Sequence, residues 1–526
     1  MNQLYHDWTA EGVLFAGHGS WSCPYERSDS KSSMSYLLGY DIGSSSIKAT
    51  LIETDSGRAL ASASSPETEL EIQAPRPGWA EQDPAVWWEH VKAVTAKIRA
   101  QAGDLSAVEA IGISYQMHGL VVVDKDQRVL RPAIIWCDSR AVGIGGRAFA
   151  EIGRERCLHH LLNSPGNFTA SKLKWVMENE PGIYDRIHKA MLPGDYIAMV
   201  MTGEIRTTPS GLSEGIMWDF PQQCLADLVL DYYGISPDLI PEIVPTFAFQ
   251  GALTAKAAAE LSLKPGVKVA YRAGDQPNNA FSLNVLNPGE LAATAGTSGV
   301  VYGVGSAPNH DPQSRVNTFV HVNHRKESPR YGILLCLNGT GILNRWLQDN
   351  YAVGLSYAEM NGLAAKAPVG AAGLIILPYG NGAERTLANK NIGASMHGLD
   401  FNLHGRPHIL RAGQEGIVFA LQYGLEIMRE MGISIMTVRA GNANMFLSPL
   451  FGEAFATVTG AVVELYDTDG SQGAARGAGI GAGLYPDYRA AFAGLKSLRV
   501  IEPNPALAAS YGETYGKWRE ALQKEL

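Results

Sequence analysis

The chain has 526 residues, 46% of them apolar and 18% charged, with a formal net charge of -9. That length is too great for one ordinary core and predicts two large domains, and the composition excludes wholesale disorder. The acidic balance argues against a nucleic-acid surface, so any affinity for an anion has to be built locally from amide nests and individual Lys or Arg side chains.

Residues 1–33 show no sustained period and end in Ser28-Asp-Ser-Lys-Ser-Ser33, immediately before Met34. Met34 is a candidate natural start; the alternative is an ordered extension docked by Trp8, Phe15 and Trp21. From there Tyr36 to Asp41, Ile47 to Glu53 and Arg58 to Ala63 read as three short strands of an antiparallel meander. Asp83 and Pro84 supply an N-cap and a first-turn proline, and Trp87, Val91, Val94 and Ile98 follow at helical spacing. Val108 to Ser114 returns as a strand. Strand, strand, strand, helix, strand is the order of a ribonuclease H-like domain.

The same order restarts at Glu290. Glu290 to Ala295, Gly299 to Val304 and Asn317 to Val322 read as strands, and Gly332 to Leu337 is apolar after them. Helical stretches follow at Gly341 to Tyr351 and Gln414 to Met431. A strand at Ile435 to Arg439, a helix at Leu447 to Thr459, a strand at Ala461 to Tyr466 and a small-residue helix at Gln472 to Tyr485 complete it. The pattern is a duplication of architecture rather than of sequence. It predicts an α/β chain of two ribonuclease H-like domains facing a central cleft, residues 34–282 and 283–526, after the leader 1–33.

Cys23, Cys137, Cys157, Cys224 and Cys336 are scattered without metal-ligand spacing, which points to a reducing compartment. No run reaches the ~18 apolar residues of a membrane span, and the N-terminus lacks the order of a signal peptide. A cytoplasmic protein with neither membrane nor nucleic-acid partner is the expectation; a homodimer stays open.

Two hydroxyl-rich turns occupy corresponding places in the halves: Asp41-Ile-Gly-Ser-Ser-Ser-Ile-Lys48 and Thr294-Ala-Gly-Thr-Ser-Gly-Val-Val301. Such turns lay backbone N–H groups and hydroxyls against phosphate, although each alone also reads as a hairpin turn whose serines cap the backbone. Together they resemble the phosphate turns of the superfamily that includes actin, hexokinase, the large heat-shock chaperones and the sugar kinases. Four further stretches resemble the FGGY family of carbohydrate kinases. They are Trp79-Ala-Glu-Gln-Asp-Pro84 with Trp87-Trp88, Gln116-Met-His-Gly119, Trp136-Cys-Asp-Ser-Arg140, and Phe168-Thr-Ala-Ser-Lys-Leu-Lys-Trp175. A second family signature is met in part at Ala394-Ser-Met-His-Gly-Leu399 with His408 to Glu415, departing at Gly413 and Gln414. Gln116 to Gly119 is most similar to the xylulokinase branch.

The resemblance implies an ATP-dependent, Mg2+-assisted kinase of carbohydrate and xylose metabolism that converts D-xylulose to D-xylulose 5-phosphate. It assigns Asp275, in Gly274-Asp-Gln276, as catalytic base, where the residues alone read equally as a Gly-Asp turn. Asp41 is assigned to catalysis through the metal, directly or through water. Trp79, Gln116, Met117, His118, Asp275 and Gln276 would bind sugar; alone, His118 reads as a core histidine. Asp138 and Arg140 read as an ion pair beneath the site. Gly43, Ser44, Ser45, Lys48, Gly296, Thr297, Ser298, Gly339, Thr340, Gly441 and Asn442 would bind nucleotide. Trp346 reads equally as a core residue, Gly382 to Thr386 as a weak cleft feature, and the glycines Gly477 to Gly481 as helix packing. A kinase for another ketose or polyol, or a non-catalytic nucleotide switch on the same fold, are the alternatives.

Overall fold

In the computed structural model, residues 34–388 and 390–526 are described. The leader read over residues 1–33, with Cys23, lies outside them.

The first sheet is built from β1 (Tyr36–Ile42), β2 (Ile47–Glu53), β3 (Ala59–Ser65), β4 (Val108–Tyr115), β5 (Phe247–Ala252) and β6 (Lys268–Gly274), in the order β5-β6-β4-β1-β2-β3. β1, β2 and β3 form the antiparallel meander, and β4 and β6 run parallel to β1. Strand alternation sends Leu38, Tyr40 and Ile42 to one face, into a core with Trp87, Val91, Val94 and Ile98 of α1 (Pro84–Ala102). Asp83 caps α1, its carboxylate accepting from the Ala85 amide, as its position before Pro84 predicts. Leu37 points to the opposite face, and Gly39 and Asp41 follow it at a spacing of two.

The second sheet repeats the plan. Its strands are β7 (Glu290–Ala295), β8 (Ser298–Gly305), β9 (Asn317–Val320), β10 (Tyr331–Asn338), β11 (Thr437–Gly441), β12 (Val462–Tyr466) and β13 (Ser497–Ile501), ordered β9-β10-β8-β7-β11-β12-β13. β10, β8 and β7 are antiparallel neighbours, and β11 and β12 run parallel to β7. The sequence reading needs one correction here: Asn317–Val320 is the edge strand, and Tyr331–Asn338 takes the third place in the meander. Both segments are apolar, so composition cannot order them; the pairing of Val301 with Leu335 does. The long helix α7 (Arg406–Glu430) begins at Arg406, with Pro407 in its first turn, rather than at Gln414.

The halves interlock. Helix α9 (Gly470–Gly481) belongs to the second half by sequence yet packs on the first sheet, with Ala474, Ala475 and Ala478 joining Leu37, Ala110 and Tyr271 in one buried cluster. Gly39 and Gly112, paired across β1 and β4, make this possible, because a Cβ at either would collide with the backbone oxygen of Ser471 or Ala474. The glycines of α9 do serve close packing: Gly477 lies against the Tyr271 ring and Gly481 against the Ala270 carbonyl. In return, α4 (Pro209–Glu214) of the first half reaches the edge of the second sheet, where the Ser210 hydroxyl donates to the Val320 carbonyl at 3.0 Å. Between the sheets lies α5 (Asp275–Ser282). Asn278 donates to the Gly470 carbonyl at 2.8 Å and Asn279 to the Thr294 hydroxyl at 3.0 Å.

Candidate active site

The alternation of β1 decides where Asp41 goes. It shares a face with Leu37 and Gly39, so its carboxylate meets the start of α9 beside Gly470, where a Cβ would strike it. Ser114, its register partner on β4, donates to it at 2.8 Å, and Lys48 stands opposite on β2. Burial nevertheless pushes the Asp41 carboxyl above the ordinary aspartate range, against the pull of Ser114 and Lys48. The turn that follows is closed by the Gly43 amide on the Ser46 carbonyl at 3.1 Å, and a Cβ at Gly43 would crowd that same oxygen. Gln82 donates to the Ser44 carbonyl at 2.7 Å and Trp136 to the Ser44 hydroxyl at 3.1 Å. The Ser45 carbonyl accepts from the Leu70 amide, while the Ser45 and Lys48 side chains are exposed.

The second turn, between β7 and β8, is held from behind by helix α6 (Gly341–Tyr351): the Gly341 amide donates to the Gly296 carbonyl at 2.7 Å and Ile342 to that of Thr297 at 3.2 Å. Thr297 lies at the tip and Ser298 opens β8. Gly339 has φ +104° and a Cβ there would strike the Pro378 carbonyl. Thr340 is fully buried against Gly299, beneath the turn. The loop after β11 approaches the same turn, with the Asn444 amide group beside Gly296. Gly441, the last residue of β11, has room at its Cα, and exposed Asn442, the first of that loop, is anchored by its backbone on the Tyr466 carbonyl at 2.8 Å. Trp346 is half exposed rather than buried in the core.

Asp275 is the first residue of α5, where β6 ends. Burial first, then the negative charge of Asp41, push its carboxyl up to about 7. Gln276 donates to it at 3.3 Å, which engages the amide with the carboxylate. The preceding Gly274 abuts Met117 and Glu214 so closely that no side chain fits. Asp275 therefore stands between the first phosphate turn and the Gln116 to Gly119 segment.

In that segment, Gln116 donates at 3.4 Å to Gln82 and leaves its buried Oε1 without a partner; Met117 is buried. His118 adopts φ +61°, an uncommon conformation for a side-chain-bearing residue, and Lys172 holds it there by donating to its carbonyl at 2.8 Å. Its Nδ1 lies 2.9 Å from the Glu214 carbonyl. A carbonyl only accepts, so Nδ1 carries the proton and Nε2 is the free acceptor. Burial, followed by the positive Lys172, drives the ring to about 3, so it stays neutral at working pH. Phe168 at 4.7 Å and Phe319 at 5.6 Å are its aromatic neighbours. Trp79 packs with Arg140 at 3.8 Å, Arg76 at 4.8 Å and Trp175 at 5.1 Å. Asp138 and Arg140 are a buried ion pair at 2.6 Å, continued by Arg140 to Glu81 at 2.7 Å.

Three buttressing residues carry little sequence signal for their roles. Lys172 sits buried within the Phe168 to Trp175 stretch, and burial lowers its ammonium to about 7. Glu214 is buried beside Tyr115 and Gly274; burial pushes it well above the carboxylate range, and the Asp275 charge adds to this. Arg385 comes from the second half and lies 4.9 Å over the Phe168 ring. The run Gly382 to Thr386 marked Arg385, but nothing in its spacing points to the first half.

Comparison with known proteins agrees with the two-domain fold. Residues 36–282 match the N-terminal domain of the FGGY family of carbohydrate kinases, and residues 291–484 match its C-terminal domain. The chain is 30% identical over 463 residues to the xylulose kinase of Bacillus subtilis, covering 86% of this chain and 89% of that one. It is 31% identical over 452 residues to the xylulose kinase of Escherichia coli K12, covering 84% and 88%. The crystal structure of xylulose kinase from Rhodospirillum rubrum superposes with a TM-score of 0.83 at 27% identity, covering 93% of this chain and 98% of that one. With its two actin- and hexokinase-type domains, the chain belongs to the FGGY family of carbohydrate kinases, phosphotransferases that act on a sugar hydroxyl.

Proposed function

We propose that this kinase phosphorylates D-xylulose at O5, with ATP as donor, Asp275 as general base and Asp41 beside the magnesium. The observation that carries the reading is the position of Asp275, next in chain to the glycine that touches Met117 and within the field of Asp41 on the first turn. His118 supports a polyhydroxy acceptor: its fixed Nε2 acceptor takes a sugar O–H, while the buried Phe168 and Phe319 rings hold the imidazole in place.

In the reaction, Asp275 accepts the proton of the attacking hydroxyl as its oxygen bonds to the terminal phosphorus and the bond to ADP breaks. The Ser44 hydroxyl, which already accepts from Trp136, keeps its O–H to donate to a phosphate oxygen. Lys48, Ser45, Thr297 and Ser298 offer further donors, with Gly43 and Gly296 allowing close approach. Gly441 and exposed Asn442, which precede the Asn444 that approaches Gly296, are assigned to the nucleoside. Asp41 and Asp275 are two carboxyls raised by burial in spite of Lys48 beside Asp41, a pair that fits a cation bound through one carboxylate and water. Magnesium there would spread the charge of the phosphates.

A panel of ketoses and polyols with ATP, compared by kcat/KM, tests the acceptor. D-xylulose is expected to lead it. A higher kcat/KM for another ketose or a polyol would replace the acceptor while leaving the kinase chemistry in place.

A further inference from the structure

A groove of about 570 Å3 lies just beyond the end of α5, whose last residue, Ser282, packs on Gly473 of α9. It is lined by the segment after α5, by the β9–β10 hairpin and by the short helix α10 (Tyr488–Ala491). Three arginines from two of these elements, Arg325, Arg330 and Arg489, face it together with Tyr488 and Phe492. Among the described residues, none of the three guanidinium groups has a carboxylate partner. In a chain of net charge -9, three unpaired cations around one concavity form a local device for an anion.

The remaining chemistry narrows the class. Planar guanidinium forks match phosphate oxygens, and the Arg325 side chain is steadied by hydrogen bonding to the Tyr488 hydroxyl. The Nε of Arg330 and the Oδ1 of Asn323, at the same groove, are buried without a hydrogen-bond partner. Tyr488 and Phe492 supply apolar surface for a carbon skeleton, and the volume lies within the range of small-molecule sites.

The groove also has a route to the chemistry. Phe492 packs on Phe281 of α5 at 5.1 Å and receives Arg476 of α9 at 5.9 Å. The first of these helices starts at Asp275 and the second beside Asp41; at 8 and 12 residues they span roughly 12 and 18 Å. We propose that the groove binds a small organic phosphate as an effector, and that its occupancy is felt at Asp275 and Asp41 through α5 and α9.

Calorimetric titration of the full chain with phenyl phosphate tests this, with sugar, magnesium and a non-hydrolysable ATP analogue saturating the active site. Saturable binding is expected in the wild type and binding at least about tenfold weaker in the Arg325→Gln, Arg489→Gln double variant. Both arginines are exposed, so the variant keeps its fold and its basal kinetics. In the wild type the ligand should change the sugar KM or kcat by about fivefold, and the double variant should lose that response. No saturable heat in the wild type, equal affinity in the variant, or binding that leaves both constants unchanged would each overturn the proposal.

Discussion

The two phosphate turns sit at the same point of two sheets with the same strand order, yet their chemistry differs. In the first, Asp41 and Lys48 face each other across β1 and β2, one pair back from the turn; in the second, the pair at that place is Thr294 and Val300. Asp41 and Asp275 come from strand ends of the first sheet, while the second turn offers hydroxyls and backbone amides braced by α6; the carboxylate that the second half brings near Asp41, Asp469, caps α9 rather than lying on that turn. A triphosphate held from two sides tolerates a carboxylate on one, where a cation screens it, but an acidic group on both would repel it. On the proposed reading, duplication of the architecture leaves a charged turn in one half and a neutral one in the other.

The largest break in that asymmetry is Asp275→Ala. It should lower kcat by about 10²- to 10⁴-fold in a coupled ADP-release assay, with sugar KM changed far less. A variant with near-normal kcat would remove Asp275 from the chemistry. Thr294→Asp makes the second turn resemble the first, and should raise the KM for ATP by at least about tenfold through like-charge repulsion. An unchanged KM would place the phosphates away from that turn.

Smaller effects sharpen the contrast. Asp41→Asn removes the charge that helps hold Asp275 near 7. The wild-type kcat/KM should rise with pH through about 7, as Asp275 loses its proton, and in the variant this acid limb should move to lower pH on top of a reduced plateau. In the neutral half, Thr297→Ala or Ser298→Ala should each cost one hydrogen bond of about 1 kcal/mol, a KM increase of about fivefold.

How far the sequence reveals this follows from the range of each interaction. The turns, the meander and the cap at Asp83 are set within a few residues, so period and turn chemistry find them. Asp275 rests on a dipeptide, and only family resemblance lifts it above an ordinary turn. The placement of α9 on the first sheet depends on Gly39 and Gly112 being neighbours in space though far apart in the chain. Lys172, Glu214 and Arg385 become meaningful only through burial and through partners remote in sequence; Phe319, from the other half, escapes for the same reason. Trp79, which the resemblance sets on the sugar wall, packs against Arg76, Arg140 and Trp175, partners its place in the sequence does not foretell.

The smallest expected effect concerns stability, and it asks whether the first half bears a cost for its charge. The Asp275 carboxyl titrates near 7 in the folded chain and near 4 when unfolded, so the folded state binds the proton more tightly. That contribution to stability is complete below about pH 4 and is lost as pH rises through about 7. Asparagine has nothing to lose. Asp275→Asn should therefore match the wild type in Tm at about pH 4.5 and exceed it by a few degrees at about pH 8, measured calorimetrically without ligands. The shift sets an upper bound of about 4 kcal/mol, reduced by water that reaches the half-buried carboxyl. A variant less stable than the wild type at the higher pH would mean that the ionised carboxylate is favourably held in the empty site, and burial would then not be what poises it for proton transfer.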